Sequence, residues 1–285
     1  QYLKDRGKYA HQMMKGTASL QIALDYKNEV DFIKKFQVAS FLSPVLASLF
    51  DNAPVFEGEI YQQQALRTLI WEYTDPRRTG IAADCFAADF GYQKYAEYVL
   101  TREPILLNTK GEYIATGNKT CRQLFKDKQL GREEIEHILT MVFPDVRAKQ
   151  FIEIRMIDSL PRELMMAVIA FWKGLIYNQT SLDKAYQFSK QFKVEEILKA
   201  RRKIIQRGIK AQLGTENMLT IAQQMFKWAK QGLTEEEADY LLPFKKLLSV
   251  EQTPAQRLKD RLERYQPAEA IKNCVANNYW KGEKR

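Results

Sequence analysis

The chain has 285 residues, of which 45% are hydrophobic and 28% charged, and a formal net charge of +9. This is the composition of an ordinary globular protein, long enough for a full core in one large domain or two modest ones. No apolar run is long enough to cross a bilayer, and no secretory signal stands at the start. The excess of basic residues permits an anionic partner, either a nucleotide or a nucleic acid.

In chain order, Thr17 to Tyr26 alternates. Ala18, Leu20, Ile22, Leu24 and Tyr26 share one face; Thr17, Ser19, Gln21, Ala23 and Asp25 share the other. The pattern predicts a strand with one apolar and one polar side. Asn28 is placed to cap a helix running from Glu29 towards Leu42. Ser43-Pro44 reads as a cap with proline at the first position of a second helix, ending at Phe50. Residues 51–58 read as a loop, and Leu66 to Trp71 as a strand or extended segment. Asp75 to Gly80 forms a turn-rich loop carrying Arg77 and Arg78. Tyr92, Tyr95 and Tyr98 fall at helical spacing. Ile105–Leu107, Lys110-Gly111 and Tyr113–Ala115 predict a hairpin. Glu133 to Val142 is helical, and Pro144 ends it.

Gln150 to Asp158 reads as a buried strand, rich in Ile, Phe and Met, yet it holds Glu153 and Arg155 two residues apart. Residues i and i+2 share a strand face, and buried charges are tolerated only when paired or bound to a ligand. Glu153 therefore either pairs within the sheet or presents a carboxylate to a cation such as Mg²⁺. Arg155 either joins that pair or grips a substrate carboxylate or phosphoryl group. Arg162 to Asn178 is apolar nearly all round and predicts a central buried helix. From Ser181 onward only helical periodicity is visible, in pieces near 182–192, 194–208, 216–231, 235–250, 254–265 and 267–275. The reading is α+β: residues 1–180 form a sheet-bearing catalytic region with packed helices, and 181–285 an all-helical region of the same domain. The basic group from Lys199 to Lys210 reads as a solvated helix face.

Cys85, Cys121 and Cys274 are scattered, without CxxC or Cys/His spacing, so no zinc site is expected and a reducing cytoplasm is. His11 and His137 are the only histidines, which gives a His-based nucleophilic triad poor support. Neither GxxxxGK[ST] nor GxGxxG occurs, so an ATP site would be of neither the P-loop nor the Rossmann kind.

Six motifs occur in order between about Lys8 and Tyr177. They are Met13 to Tyr26, Arg67-x-x-Ile70-Trp71-x-x-Thr74-Asp75-x-x-Arg78-Thr79-Gly80, Phe90-Gly91-Tyr92-x-x-Tyr95-x-x-Tyr98, Phe143 to Arg147, Glu153-x-Arg155-x-x-Asp158, and Ala170-Phe171-Trp172-x-Gly174-Leu175-x-Tyr177. Together they resemble the glutamate–cysteine ligase family of the plant and proteobacterial type. The resemblance implies a glutamine-synthetase-like fold, a curved antiparallel sheet cradling substrates with helices behind it. It also implies a reaction: Mg²⁺–ATP phosphorylates the γ-carboxylate of glutamate, and the amine of cysteine displaces phosphate. By motif, Glu153 would be a Mg²⁺ ligand, and Arg155 and Arg78 catalytic. Gln21, Arg67, Trp71, Tyr95 and Tyr98 would line the substrate pocket. The implied partners are glutamate, cysteine and ATP, with neither nucleic acid nor membrane. The resemblance covers what would be the C-terminal two-thirds of such an enzyme, without the upstream Glu-rich strands that supply most metal ligands. Leu69 stands where the plant pattern has His, and Arg77 where it has Asp. These departures leave open a γ-glutamyl ligase for another amine, or a non-catalytic binding module on the same scaffold. A basic helical nucleic-acid binder is a further alternative.

Overall fold

A computed structural model describes residues 2–109, 112–127 and 129–274. Helix α1 (Ala10–Gly16) precedes a short strand, β1 (Ile22–Leu24). The predicted facing holds: Ile22 and Leu24 are buried, while Gln21 and Ala23 are exposed. The predicted length does not, because ahead of β1 the pairing shrinks to an isolated bridge between Ser19 and Asp158. Helix α2 (Glu29–Leu49) starts where the Asn28 side chain accepts the Asp31 amide. It does not break at Ser43-Pro44. Pro44 lies inside one 21-residue helix, and the Ser43 hydroxyl donates to Asp145 instead of capping a new one. An interior proline costs about 3 kcal/mol. Every residue from Lys35 to Leu49 is buried, and that packing outweighs the local break.

Strands β2 (Val55–Phe56) and β3 (Glu59–Ile60) form a tight hairpin. Its turn residues, Glu57 and Gly58, both have positive φ, 51° and 91°, as a type I′ turn requires. Helix α3 (Leu66–Glu72) replaces the strand or extended segment expected there. The run is too short for periodicity to decide, and its buried set of Leu66, Arg67, Thr68 and Ile70 fits a helix turn. Then come β4 (Thr79–Gly80), α4 (Tyr92–Leu100), the hairpin β5 (Leu106–Thr109) and β6 (Glu112–Ala115), α5 (Cys121–Leu124) and α6 (Arg132–Leu139). Lys110 and Gly111, expected as the hairpin turn, lie outside the described residues. Helix α6 stops at Leu139, ahead of Pro144, because β7 (Phe143–Pro144) pairs in parallel with β4.

Strands β8 (Val146–Ala148) and β9 (Ile152–Ile154) complete a three-stranded antiparallel sheet of order β1-β9-β8. Across it, Ala23 pairs with Glu153 and Glu153 with Arg147. The alternate residues, Ile22, Leu24, Val146, Ala148, Ile152 and Ile154, are buried, and α2 packs on β8 and β9. One face is thus core and the other carries charge.

The remainder is α7 (Arg162–Ile176), α8 (Gln179–Ser189), α9 (Val194–Arg207), β10 (Gln212–Leu213), β11 (Glu216–Asn217), α10 (Met218–Gln231), α11 (Glu235–Ala238), α12 (Leu242–Val250), α13 (Pro254–Arg264) and α14 (Pro267–Ala270). Helix α7 is not apolar-buried all round, since Met166 and Ile169 are exposed. Nor is the tail entirely helical: β10 and β11 pair antiparallel, so α10 begins at Met218, capped by Asn217. Val275, placed at the end of the last expected helix, lies outside the described residues. The fold is mixed helix and strand, with small sheets and one contiguous apolar cluster reaching from Ile22 to Leu248.

Candidate functional site

Arg67 and Trp71 sit one turn apart on α3, and Arg155 follows β9. The fold brings the three together: the Arg67 guanidinium lies 5.4 Å and that of Arg155 6.0 Å from the Trp71 ring. They line one crevice with Asp145 and Arg201, with room for about one water-sized group. Arg67 donates to the carbonyls of Ala18 (3.2 Å) and Arg155 (3.0 Å). Burial pushes its guanidinium down to about 10, which still leaves it charged at neutral pH. Two buried donors here, Arg155 Nε and Trp71 Nε1, have no acceptor among the described residues. Leaving a buried donor unpaired costs about 1–3 kcal/mol, so two beside a cationic Arg67 mark a place for an anionic oxygen.

Helix α3 owes its position to strain held by a carboxylate. Ala65, its N-terminal neighbour, is left-handed (φ 46°), and its amide donates to Asp51 Oδ2 at 2.9 Å. A non-glycine residue in this region costs about 1–3 kcal/mol and persists only where its surroundings fix it.

Glu153 lies at the centre of a cationic group on the polar face of the sheet. Its Oε2 accepts Arg147 Nε (2.8 Å) and Arg155 Nη1 (2.9 Å), and Lys149 Nζ lies 3.9 Å from Oε1. Burial alone would push the carboxyl up, but Arg147 and then Arg155 outweigh it and hold it below its ordinary value. This does not fit the expected Mg²⁺ ligand. A magnesium ion wants several oxygens, whereas the neighbours here are cations. Among the described residues, no group of three or more His, Cys, Asp or Glu could hold a metal.

The other expected site residues do not reach the crevice. Arg78 is 1% exposed and spends its donors on Asp75 (2.8 Å), the Met141 carbonyl (3.1 Å) and the Tyr2 hydroxyl. Tyr95 is buried and its hydroxyl accepts the Ala148 amide at 3.0 Å. Tyr98 is buried beneath the Arg102 guanidinium, 4.3 Å from its ring. Gln21 is exposed on the polar side of β1, and its amide donates to Ser19 at 3.5 Å.

Arg201 and Asp145 belong to the site and escaped the sequence reading. Arg201 grips Asp145 with two donors (2.6 and 3.1 Å) and also pairs with Glu72. Burial would push the Asp145 carboxyl up, but Arg201 holds it below its ordinary range. A basic cluster hid Arg201. The signal that finds it is spacing: with Ile197, Ala200, Ile204 and Ile205 it falls on the buried stripe of α9.

The sequence matches Glutamate-cysteine ligase family 2 (GCS2) over residues 1–280. The chain belongs to that family. It is 29% identical over 267 residues to the chloroplastic glutamate–cysteine ligase of Nicotiana tabacum, covering 90% of this chain and 51% of the relative. Identity to the Arabidopsis thaliana enzyme is 31%, with the same coverage. Identity to glutamate–cysteine ligase B of Oryza sativa subsp. japonica is 30% over 277 residues, 92% of this chain and 55% of the relative. The chain spans about half the length of the curated relatives it matches. The cytoplasmic compartment inferred from scattered cysteines is overturned: the glutamate–cysteine ligases that the chain resembles are named chloroplastic.

Proposed function

We propose that this chain carries the glutamate-binding part of an ATP-dependent ligase that makes γ-glutamylcysteine, in the plastid named for its relatives. In that reaction the γ-carboxylate attacks the terminal phosphorus of ATP, releasing ADP and forming γ-glutamyl phosphate. The amine then displaces phosphate. A divalent metal, when bound, neutralises the triphosphate; the described residues do not by themselves fit one. What they supply is cationic. Arg67, Arg155 and the Trp71 N–H receive one carboxylate oxygen of glutamate. Arg155, held by Glu153, faces the charge that develops on the transferring phosphoryl group. Arg78, Tyr95 and Tyr98 brace the loops and sheet around that group, and Gln21 extends its polar wall. The polar face of β1-β9-β8 forms one side of a curved, glutamine-synthetase-like cradle, and further strands of a ligase the length of its relatives would complete it.

The observation that carries this reading is the convergence of Arg67, Trp71 and Arg155, distant in sequence, on a crevice with two unpaired buried donors. The test is phosphate release by the full-length ligase. Glutamate- and cysteine-dependent turnover is expected. Trp71→Phe, which removes the indole N–H together with part of the ring, should raise the KM for glutamate by about 10-fold or more, the worth of one hydrogen bond to a charged group. Glutamate-independent hydrolysis, or an unchanged KM, would overturn the proposal.

A further inference from the structure

Helix α13 is bonded to the segment that leads into α3. Ala255 and Lys259 stand one turn apart on one face of α13, and both are buried. The Ala255 amide donates to the Asp51 carbonyl at 2.9 Å, and the Lys259 ammonium donates to the Gln63 carbonyl at 2.5 Å. These contacts hold the two ends of the stretch from Asp51 to Ala65, which contains the β2–β3 hairpin. The Asp51 side chain closes the same stretch by accepting the amides of Ala65 (2.9 Å) and Ala53 (3.4 Å). The Gln64 amide donates to the Ile205 carbonyl of α9 at 2.9 Å. Helix α3 starts at the next residue after Ala65, and Arg67 and Trp71 stand on its two turns.

Lys259 is a costly choice for a brace. Its ammonium is buried, it makes no ion pair among the described residues, and it lies 5.6 Å from the Tyr61 ring. Burial pushes it down from its ordinary value, and Asp51 offsets only part of that. A buried cation without a paired acid is a poor source of stability. What it supplies is a fixed place for the Gln63 carbonyl, one helical turn ahead of Arg67. We propose that Lys259 is a positioning residue for glutamate: through the Gln63 carbonyl it sets the start of α3, and with it the Arg67 guanidinium and the Trp71 N–H. The proposal rests on the ligase reading and adds to it a residue of the helical region that touches no substrate. Between Gln63 and α3 lies Ala65, left-handed and held by Asp51, so a shift at residue 63 passes into the helix. A displacement of about 1 Å at a binding group can cost about 100-fold.

The test uses the full-length ligase and two variants. Lys259→Met keeps most of the aliphatic stem and removes the ammonium, a change that buried sites tolerate. Lys259→Arg keeps a cationic donor. Lys259→Met should raise the KM for glutamate about 10-fold or more and leave the KM for ATP within about twofold. Lys259→Arg should stay within about threefold of the wild type in both. Hydrogen exchange, read by mass spectrometry, should quicken about 10-fold in Lys259→Met over residues 61–73 alone, with α2 and α10 unchanged. Exchange that quickens evenly along the chain would make Lys259 a stabilising residue and overturn the proposal. Equal damage by the two variants would make side-chain volume, not the donor, the cause, and would overturn it as well. So would an unmoved KM in an enzyme whose turnover depends on glutamate, which spares the ligase. If the wild type shows no glutamate-dependent turnover, the ligase reading fails, and exchange alone judges the brace: a rise confined to residues 61–73 supports it, and any other pattern overturns it.

Discussion

Asp51 shows how one carboxylate ties stability to the site. It holds the strained Ala65 amide ahead of α3, and burial, relieved in part by that amide, pushes its carboxyl from 3.8 up to about 6. A raised acid binds its proton more tightly in the folded chain than in the unfolded one. Its contribution is therefore greatest below pH 4 and falls as the pH rises towards 6, by about 3 kcal/mol in full. Asp51→Asn should accordingly gain about 3 kcal/mol relative to wild type between pH 4 and pH 7, read from urea unfolding at each pH. A constant difference between the two proteins would mean that the carboxyl is not shifted. Arg201 argues the opposite case. Arg201→Met leaves Asp145 buried and charged, and should destabilise by about 3–5 kcal/mol. Adding Asp145→Asn should restore much of that loss, whereas additive losses would show that the pair is not coupled. At this scale motif order singled out Arg67, Trp71 and Arg155, which the fold brings together. It could not disclose that Arg78 is consumed by Asp75 and Tyr2, because a guanidinium's partners lie across the fold.

Elements were legible where local chemistry and packing agree. The Asn28 cap, the alternation through β1 and the 105–115 hairpin each have a short-range cause. Pro44 and the start of α3 were misread because their outcome is set at long range, by complete burial of α2 and by the Asp51–Ala65 contact. Helices α7 and α10 make the most extensive contact between elements. A Cβ on Gly174 would stand 2.1 Å from the Ala229 carbonyl oxygen and 2.8 Å from Leu233. The backbones approach this closely only because that position has no side chain. Gly174→Ala should therefore destabilise by about 2–3 kcal/mol or more, seen as a lowered urea midpoint. Exposed Ala substitutions on α10, such as Lys227→Ala, should stay within about 0.5 kcal/mol. Equal effects at the two positions would mean that the helices do not meet there.

On the scale of the whole molecule, the helical region after residue 180 is built into the first region at many points. Phe41 of α2 packs against Phe188 and Phe192 at 6.1 and 5.1 Å. The amine of Lys190 donates to Gln37 at 2.6 Å, and Arg201 reaches the crevice from α9. Removing α8, α9 and α10 would uncover much of α2 and leave Asp145 without its cation. Hydrophobic burial is the dominant favourable term in folding, and net stability is only about 5–15 kcal/mol, so a chain ending at residue 180 has too little left to hold one packed state. It should keep far-ultraviolet circular dichroism from residual helix, lose the near-ultraviolet signal of its packed aromatics, and bind a hydrophobic dye. A cooperative urea transition in that truncated chain, with native near-ultraviolet ellipticity, would show instead that the sheet-bearing region folds without the helices that here hold Asp145 in place.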